Sequence, residues 1–128
     1  MSVSVTNIAV IGAGSWGTGF AAHLGALGHR VRIWAREPEI VYGINTSHVN
    51  PVFNTHAAIE GDVTASESLT ETIAGAQIAA IAVPSRFLPE ISTVLARNWN
   101  SGCVFLCLTK GLCGDPPEFI SGYVKRAL

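Results

Sequence analysis

Gly12, Gly14 and Gly17 stand at the spacing G-x-G-x-x-G, directly after the apolar run Asn7–Ile11 and before an amphipathic stretch, Phe20–Leu27. That order turns a common glycine spacing into a specific expectation: a buried strand ends where the glycines start, and a helix follows. Gly12 permits the tight turn, Gly14 lets a diphosphate approach the backbone, and Gly17 lets the helix press on the strand. The free N–H groups at the helix start face the diphosphate, and the helix dipole favours its negative charge. Ser15 adds a hydroxyl or its own N–H to a phosphate oxygen, or else caps the helix. Trp16 has two readings, a cover over the diphosphate or packing beneath the sheet edge.

Two cations extend this chemistry. In dinucleotide sites the second strand usually ends in an acid that grips the adenosine ribose, whereas a basic residue there suits a 2′-phosphate. Here Trp34-Ala35 is followed by Arg36 and then Glu37. Arg36 can pair bidentately with a phosphate or stack on adenine, with Glu37 as the fallback ribose acceptor. The plainer reading makes Arg36 a solvated charge ahead of a helix. Lys110 follows the apolar run Cys103–Leu108 and precedes Gly111, which puts its amine at the end of a strand. That position suits a functional amine and a surface lysine alike. His23, His29, His48 and His56 share no metal-ligand spacing with one another or with a carboxylate, so they read as structural and no metal is expected.

The elements that must hold these residues alternate along the chain. Short apolar runs bounded by turn residues predict strands at Asn7–Ile11, Arg30–Ala35, Asp62–Ala65, Ile78–Val83 and Cys103–Leu108. Spacings of three and four predict helices over Trp16–Leu27, Phe87–Arg97 and Pro116–Leu128, the last with Phe119, Ile120, Tyr123 and Val124 on one face. Pro38 favours a short helix over Glu37–Asn45, and Ser66–Glu71 offers capping residues ahead of Ile73. The polar–apolar alternation of Arg30–Ala35 suits a strand nearer a sheet edge. Cys103–Leu108, apolar on both faces, suits a central strand covered by helices. Residues 46 to 61 show no period, and Asn50-Pro51 breaks any helix there. The order predicts an α/β fold of Rossmann type, a doubly wound parallel sheet in a single domain over residues 1–128. Gly12–Gly17, Arg36, Pro84–Phe87 and Thr109–Gly111 all fall at the carboxyl ends of strands and should converge on one crevice.

Bulk properties narrow the classes. The chain of 128 residues is 48% hydrophobic but only 13% charged, where roughly 25% is usual for soluble domains. So low a charge content implies apolar surface covered by something outside these residues, a partner subunit or a further domain. The net charge of -1 and the scattered basic residues argue against nucleic acid or a polybasic membrane surface. No stretch approaches the roughly 18 apolar residues of a membrane span, and no signal peptide is apparent. Cys103, Cys107 and Cys113 form no C-x-x-C pair and read as buried thiols in a reducing cytoplasm.

Gly12-Ala13-Gly14-Ser15-Trp16-Gly17-Thr18, Gly28-His29 with Val31, Ile33, Trp34 and Arg36, Asn50-Pro51, Ala82-Val83-Pro84-Ser85 and Thr109-Lys110-Gly111 occur in this order from Ile8 to Gly111. Together they resemble the bacterial NAD(P)-dependent glycerol-3-phosphate dehydrogenases. The resemblance implies reversible reduction of dihydroxyacetone phosphate to sn-glycerol 3-phosphate with NADPH or NADH, feeding phospholipid synthesis. It implies cofactor contacts at Ser15, Trp16, Arg36, Pro84 and Phe87, alongside the three glycines, and a lysine, Lys110, shared between cofactor and substrate. A fixed ammonium aimed at developing alkoxide charge would stabilise the transition state. Where the family usually has a tyrosine and a leucine-proline pair, Val52-Phe53-Asn54-Thr55-His56 stands instead, with Phe53 a substitute for the aromatic. The family's proton-transfer lysine and substrate-phosphate residues belong to a helical second domain that these residues do not match, Lys125 included. The expectation is therefore a cofactor domain, inactive by itself, with a homo-oligomer or the second domain as partner. Two alternatives are a non-catalytic NAD(P)-binding module and the cofactor half of a related hydroxyacid or ketopantoate-type reductase.

Overall fold

The computed structural model describes residues 4–128. Five parallel strands, β1 (Asn7–Ile11), β2 (Arg30–Trp34), β3 (Val63–Ser66), β4 (Ile78–Ile81) and β5 (Val104–Cys107), form one sheet in the order β3-β2-β1-β4-β5. The helices α1 (Ser15–Ala26), α2 (Pro38–Ser47), α3 (Leu69–Ile73) and α4 (Leu88–Asn98) make the crossovers. In β1 and β4 the period of two divides the side chains between two cores. Ile8, Val10, Val31 and Ile33 pack with Ala21 of α1 and with Ile40 and Ile44 of α2. Ala9, Ile11, Ala79 and Ile81 pack on the other face with Ile73 of α3 and with Leu88, Ile91 and Leu95 of α4. This is the doubly wound α/β sheet that the alternation predicts.

Helix starts follow the local chemistry. The Ser68 hydroxyl accepts from the Glu71 amide at 3.2 Å and caps α3, while Pro38 occupies the first turn of α2. β2 lies one strand in from the edge that β3 forms. Its polar positions are satisfied at the rim: Arg30 pairs with Asp62 at 3.0 Å, and the Arg32 guanidinium donates to the Ala74 carbonyl.

Three expectations need correction. β5 is not central but forms the other edge of the sheet, and Val104 and Leu106 are 61% and 38% exposed. Only one of its faces meets a helix layer, where Cys103, Phe105 and Cys107 pack partly buried. The last helix is shorter than Pro116–Leu128, because Leu112–Cys113 (β6) and Glu118–Phe119 (β7) pair as an antiparallel hairpin first. Helix α5 (Ile120–Ala127) then buries Ile120 and Val124, while Phe119 on the hairpin is 76% exposed. Finally, the stretch after residue 45 is ordered by side-chain bonds although it has no period. α2 runs on to Ser47, His48 ends it in the left-handed conformation, and the Ile59 amide returns to the His48 carbonyl at 2.8 Å.

Candidate functional site

The sheet order reverses between β1 and β4, and their carboxyl ends open into a cleft of about 360 Å³. Gly12, Gly14, Arg36, Pro84 and Phe87 line it, together with Phe53. The three glycines divide by what holds them. Gly12 has φ +121, and a Cβ there would lie 2.7 Å from the Ala82 carbonyl oxygen. A Cβ on Gly17 would run into the Gly12 carbonyl. The fold itself demands both. Gly14 has an ordinary φ of -74, and a Cβ on it would meet nothing within 4 Å. The protein's own packing does not require a glycine there.

Helix α1 starts at Ser15 with no side-chain cap and no acidic residue in its first turn. Its leading amides are thus left without an intrahelical or side-chain partner at the edge of the open space. The loop before it is braced from a distance. Asn50 is fully buried, and its amide nitrogen donates to the Ala13 carbonyl and to the Thr18 hydroxyl, both at 2.9 Å. Its oxygen accepts from the amides of Val52 and Phe53 at 3.0 Å. All four of its hydrogen-bonding positions are used. Asn54 adds a bond to the Ser15 carbonyl at 2.8 Å.

At the far rim, the Arg36 guanidinium lies 4.6 Å from the Phe87 ring centre and 5.6 Å from that of Trp34, and it pairs with Glu90 at 3.2 Å. Arg36 is therefore held across the cleft and is not a free surface charge. Glu37 lines the same cleft beside it. Ser15 and Trp16 are exposed on the first turn of α1, next to the glycines but outside the lining. Trp16 is 60% exposed with its ring 6.2 Å from Phe20, which excludes packing beneath the sheet edge.

Thr109–Gly111 do not join the cleft, so the single crevice expected is two hollows. Thr109 ties the end of β5 to that of β4 by donating to the Val83 carbonyl at 2.7 Å. With Gly111, Cys107 and Phe119 it lines a second hollow of about 610 Å³. Lys110 stands exposed between Thr109 and Gly111 and lines neither. The thiols differ from the expectation as well. Cys113 is buried, whereas Cys103 and Cys107 are half-buried on the edge strand; burial pushes the Cys103 and Cys113 thiols up. No group of three or more metal-ligating side chains occurs among the described residues. No helix among them is long and apolar enough to cross a membrane.

The geometry gives roles to two residues to which sequence reasoning assigned none. Asn50 stood out as a helix breaker and as part of the Asn50-Pro51 segment of the resemblance, but without a bonding role, since its partners lie far away in sequence. Arg86 lines the cleft with its guanidinium 4.6 Å from the same Phe87 ring. A cation adjacent to a cleft aromatic was the available signal.

Known proteins share this sequence pattern and this fold. Residues 7–128 match the family model described as the NAD-dependent glycerol-3-phosphate dehydrogenase N-terminus. A glycerol-3-phosphate dehydrogenase (NAD(P)+) of Koribacter versatilis is 39% identical over 109 residues, covering 84% of this chain and 32% of that protein. The enzyme of the same name from Xanthomonas campestris is 37% identical over all 128 residues, or 38% of its own length. Among solved structures, glycerol-3-phosphate dehydrogenase of Coxiella burnetii superposes with a TM-score of 0.84 at 28% identity, over 94% of this chain and 36% of that one. The chain thus spans about a third of the length of the curated relatives it matches. With its glycine cradle at the β1–β4 switch and a family match running from β1 to the end of α5, the chain belongs to the glycerol-3-phosphate dehydrogenase family as an N-terminal, NAD-binding-type domain.

Proposed function

We propose that this chain holds NADPH or NADH for an oxidoreductase that interconverts dihydroxyacetone phosphate and sn-glycerol 3-phosphate. The observation that carries the reading is the empty space over Gly14, a glycine the fold does not require, set against the open amides of α1. A dinucleotide's diphosphate fits that donor set, with the backbone at Gly12 and Gly14 supplying close approach and Gly17 keeping the helix near. Ser15 donates to the diphosphate from the helix start, and Trp16 covers it from the solvent side. Arg36, Phe87 and Pro84 take the adenosine end, the ring offering a flat face to the base and the guanidinium a fork to a 2′-phosphate.

When bound, the nicotinamide supplies the hydride that reduces the substrate's carbonyl carbon. The chain's own part is to fix the dinucleotide and to offer one cation near the reacting oxygen. Lys110 is assigned that role, contacting both cofactor and substrate, from its place just past the end of β5. Its ammonium would offset charge developing on the carbonyl oxygen. The proton completing the alcohol comes from a lysine that these residues do not match, so the chain alone binds cofactor without turning substrate over. The reading further assigns it to the cytoplasm, with a helical substrate domain or a second copy as partner.

Titrating NADPH and NADH while following tryptophan fluorescence tests this directly, because Trp34 lines the cleft. Saturable binding of a dinucleotide, with no reduction of dihydroxyacetone phosphate by the chain alone, is the expected result. Absence of binding overturns the cofactor assignment, and full turnover overturns the need for a further lysine.

A further inference from the structure

Arg86 belongs to a single 3-10 turn, Ser85–Phe87, that joins β4 to α4. Its guanidinium and that of Arg36 each lie 4.6 Å from the centre of the Phe87 ring. The two arginines come from opposite sides of the cleft, one after β2 and the other after β4, and both line it. They differ in what neutralises them. Arg36 is paired with Glu90, whereas Arg86 has no carboxylate partner among the described residues. The rim thus holds one compensated and one uncompensated guanidinium beside a flat aromatic ring.

Resting on the dinucleotide reading above, we infer that Arg86 is a specificity residue, which together with Arg36 grips the 2′-phosphate of NADPH. A ribose with free hydroxyls calls for an acceptor at the end of β2, yet the first charged side chain past that strand is a cation, with the Glu37 carboxylate one residue further along. A phosphomonoester near neutral pH carries close to two negative charges and three acceptor oxygens, enough for two guanidinium forks at once. Arg36 by itself would meet that group with its charge already shared with Glu90. The Arg36–Glu90 pair is solvent-exposed, with side chains 43% and 72% accessible, and such a pair yields readily to a stronger anion. Arg86 supplies the charge that Glu90 withholds. The Phe87 ring keeps both guanidinium planes at the rim before any ligand arrives.

The test compares Arg86→Gln and Arg86→Lys with the unmodified chain, titrating NADPH, NADH, 2′,5′-ADP and 5′-AMP. Arg86→Gln should weaken NADPH and 2′,5′-ADP by about tenfold, the loss of one charge-assisted bond, and leave NADH and 5′-AMP nearly unchanged. Arg86→Lys should recover part of the loss, because a point charge replaces a fork. Equal weakening of NADPH and NADH, or no change in either, overturns the assignment while the cofactor reading stands. If the unmodified chain binds neither dinucleotide, the cofactor reading falls and this inference falls with it.

Discussion

Substituting alanine at Gly14 and at Gly17 should have opposite consequences, although the two glycines are three residues apart on one loop. At Gly14 the added methyl meets nothing within 4 Å, and the backbone already has a φ of -74 that alanine adopts. Alanine is a poorer helix cap than glycine by something under about 1 kcal/mol, and its stiffer unfolded chain returns about 0.4–1 kcal/mol. The two nearly cancel, so the melting temperature should stay within about 3 °C of the original. At Gly17 the methyl collides with the Gly12 carbonyl. Overpacking costs about 1–3 kcal/mol even where side chains can move aside, and here the obstacle is backbone. After the roughly 1 kcal/mol that alanine gains in a helix, about 2 kcal/mol of destabilisation remains, or about 6–12 °C. Binding should invert the order. Gly14→Ala fills the room for a diphosphate and should weaken NADPH by about tenfold to a hundredfold, one or two charge-assisted bonds. Thermal melts by circular dichroism and fluorescence titration on the same samples separate the effects. A Gly14→Ala chain that binds NADPH like the original would refute the placement of the diphosphate, and one that melts like Gly17→Ala would refute the division of the glycines.

Three further outcomes are open to measurement. Arg36→Ala should weaken NADPH about tenfold or more and NADH far less; equal losses in parallel titrations would assign Arg36 to the base and not to a phosphate. Asn50→Ala leaves the Ala13 carbonyl and the Thr18 hydroxyl without their partner, which should cost about 2–4 kcal/mol in urea unfolding. A loss within experimental error would mean that water replaces the side chain. Burial, assisted by the Glu118 carboxylate, pushes the Cys113 thiol above its ordinary 9.0. Stability from a thiol raised on folding is complete below the unfolded pKa and is lost as pH climbs through the folded value. Cys113→Ala should therefore flatten the decline in stability above about pH 9, and an unchanged slope would count against that thiol as its source.

How far the sequence could be read depended on whether the deciding contacts were local. The strand–glycine–helix order at Asn7–Ala26 needs only neighbouring residues, and so does the Ser68 cap; both were legible. The apolar pattern of Val104–Cys107 looks the same whether helices cover one face or two, so an edge strand passed for a central one. Phe119 fits a helical stripe with Ile120 and Val124, yet it pairs with Leu112 in a hairpin that no helical spacing announces. Asn50 carried a local signal, a break before proline, but its work lies in bonds spanning 37 and 32 residues. The cleft was anticipated through Arg36 and the Pro84–Phe87 segment, whereas Arg86 gained a role only when a turn set it against the ring that Arg36 also meets.

The long connection after α2 is moored at Asn50, Asn54 and Ile59, with its free span between the last two. Asn50 is locked into the glycine loop and Ile59 into the core, while residues 51 to 58 all face solvent. Extra residues inserted between Asn54 and Ile59 would lengthen a surface arch and leave the diphosphate seat untouched. A single residue inserted ahead of Asn50 would shift that side chain out of register and unhook the seat from below. Length variation in this stretch should therefore be tolerated on one side of Asn54 and ruinous on the other, an asymmetry set by where one amide is anchored.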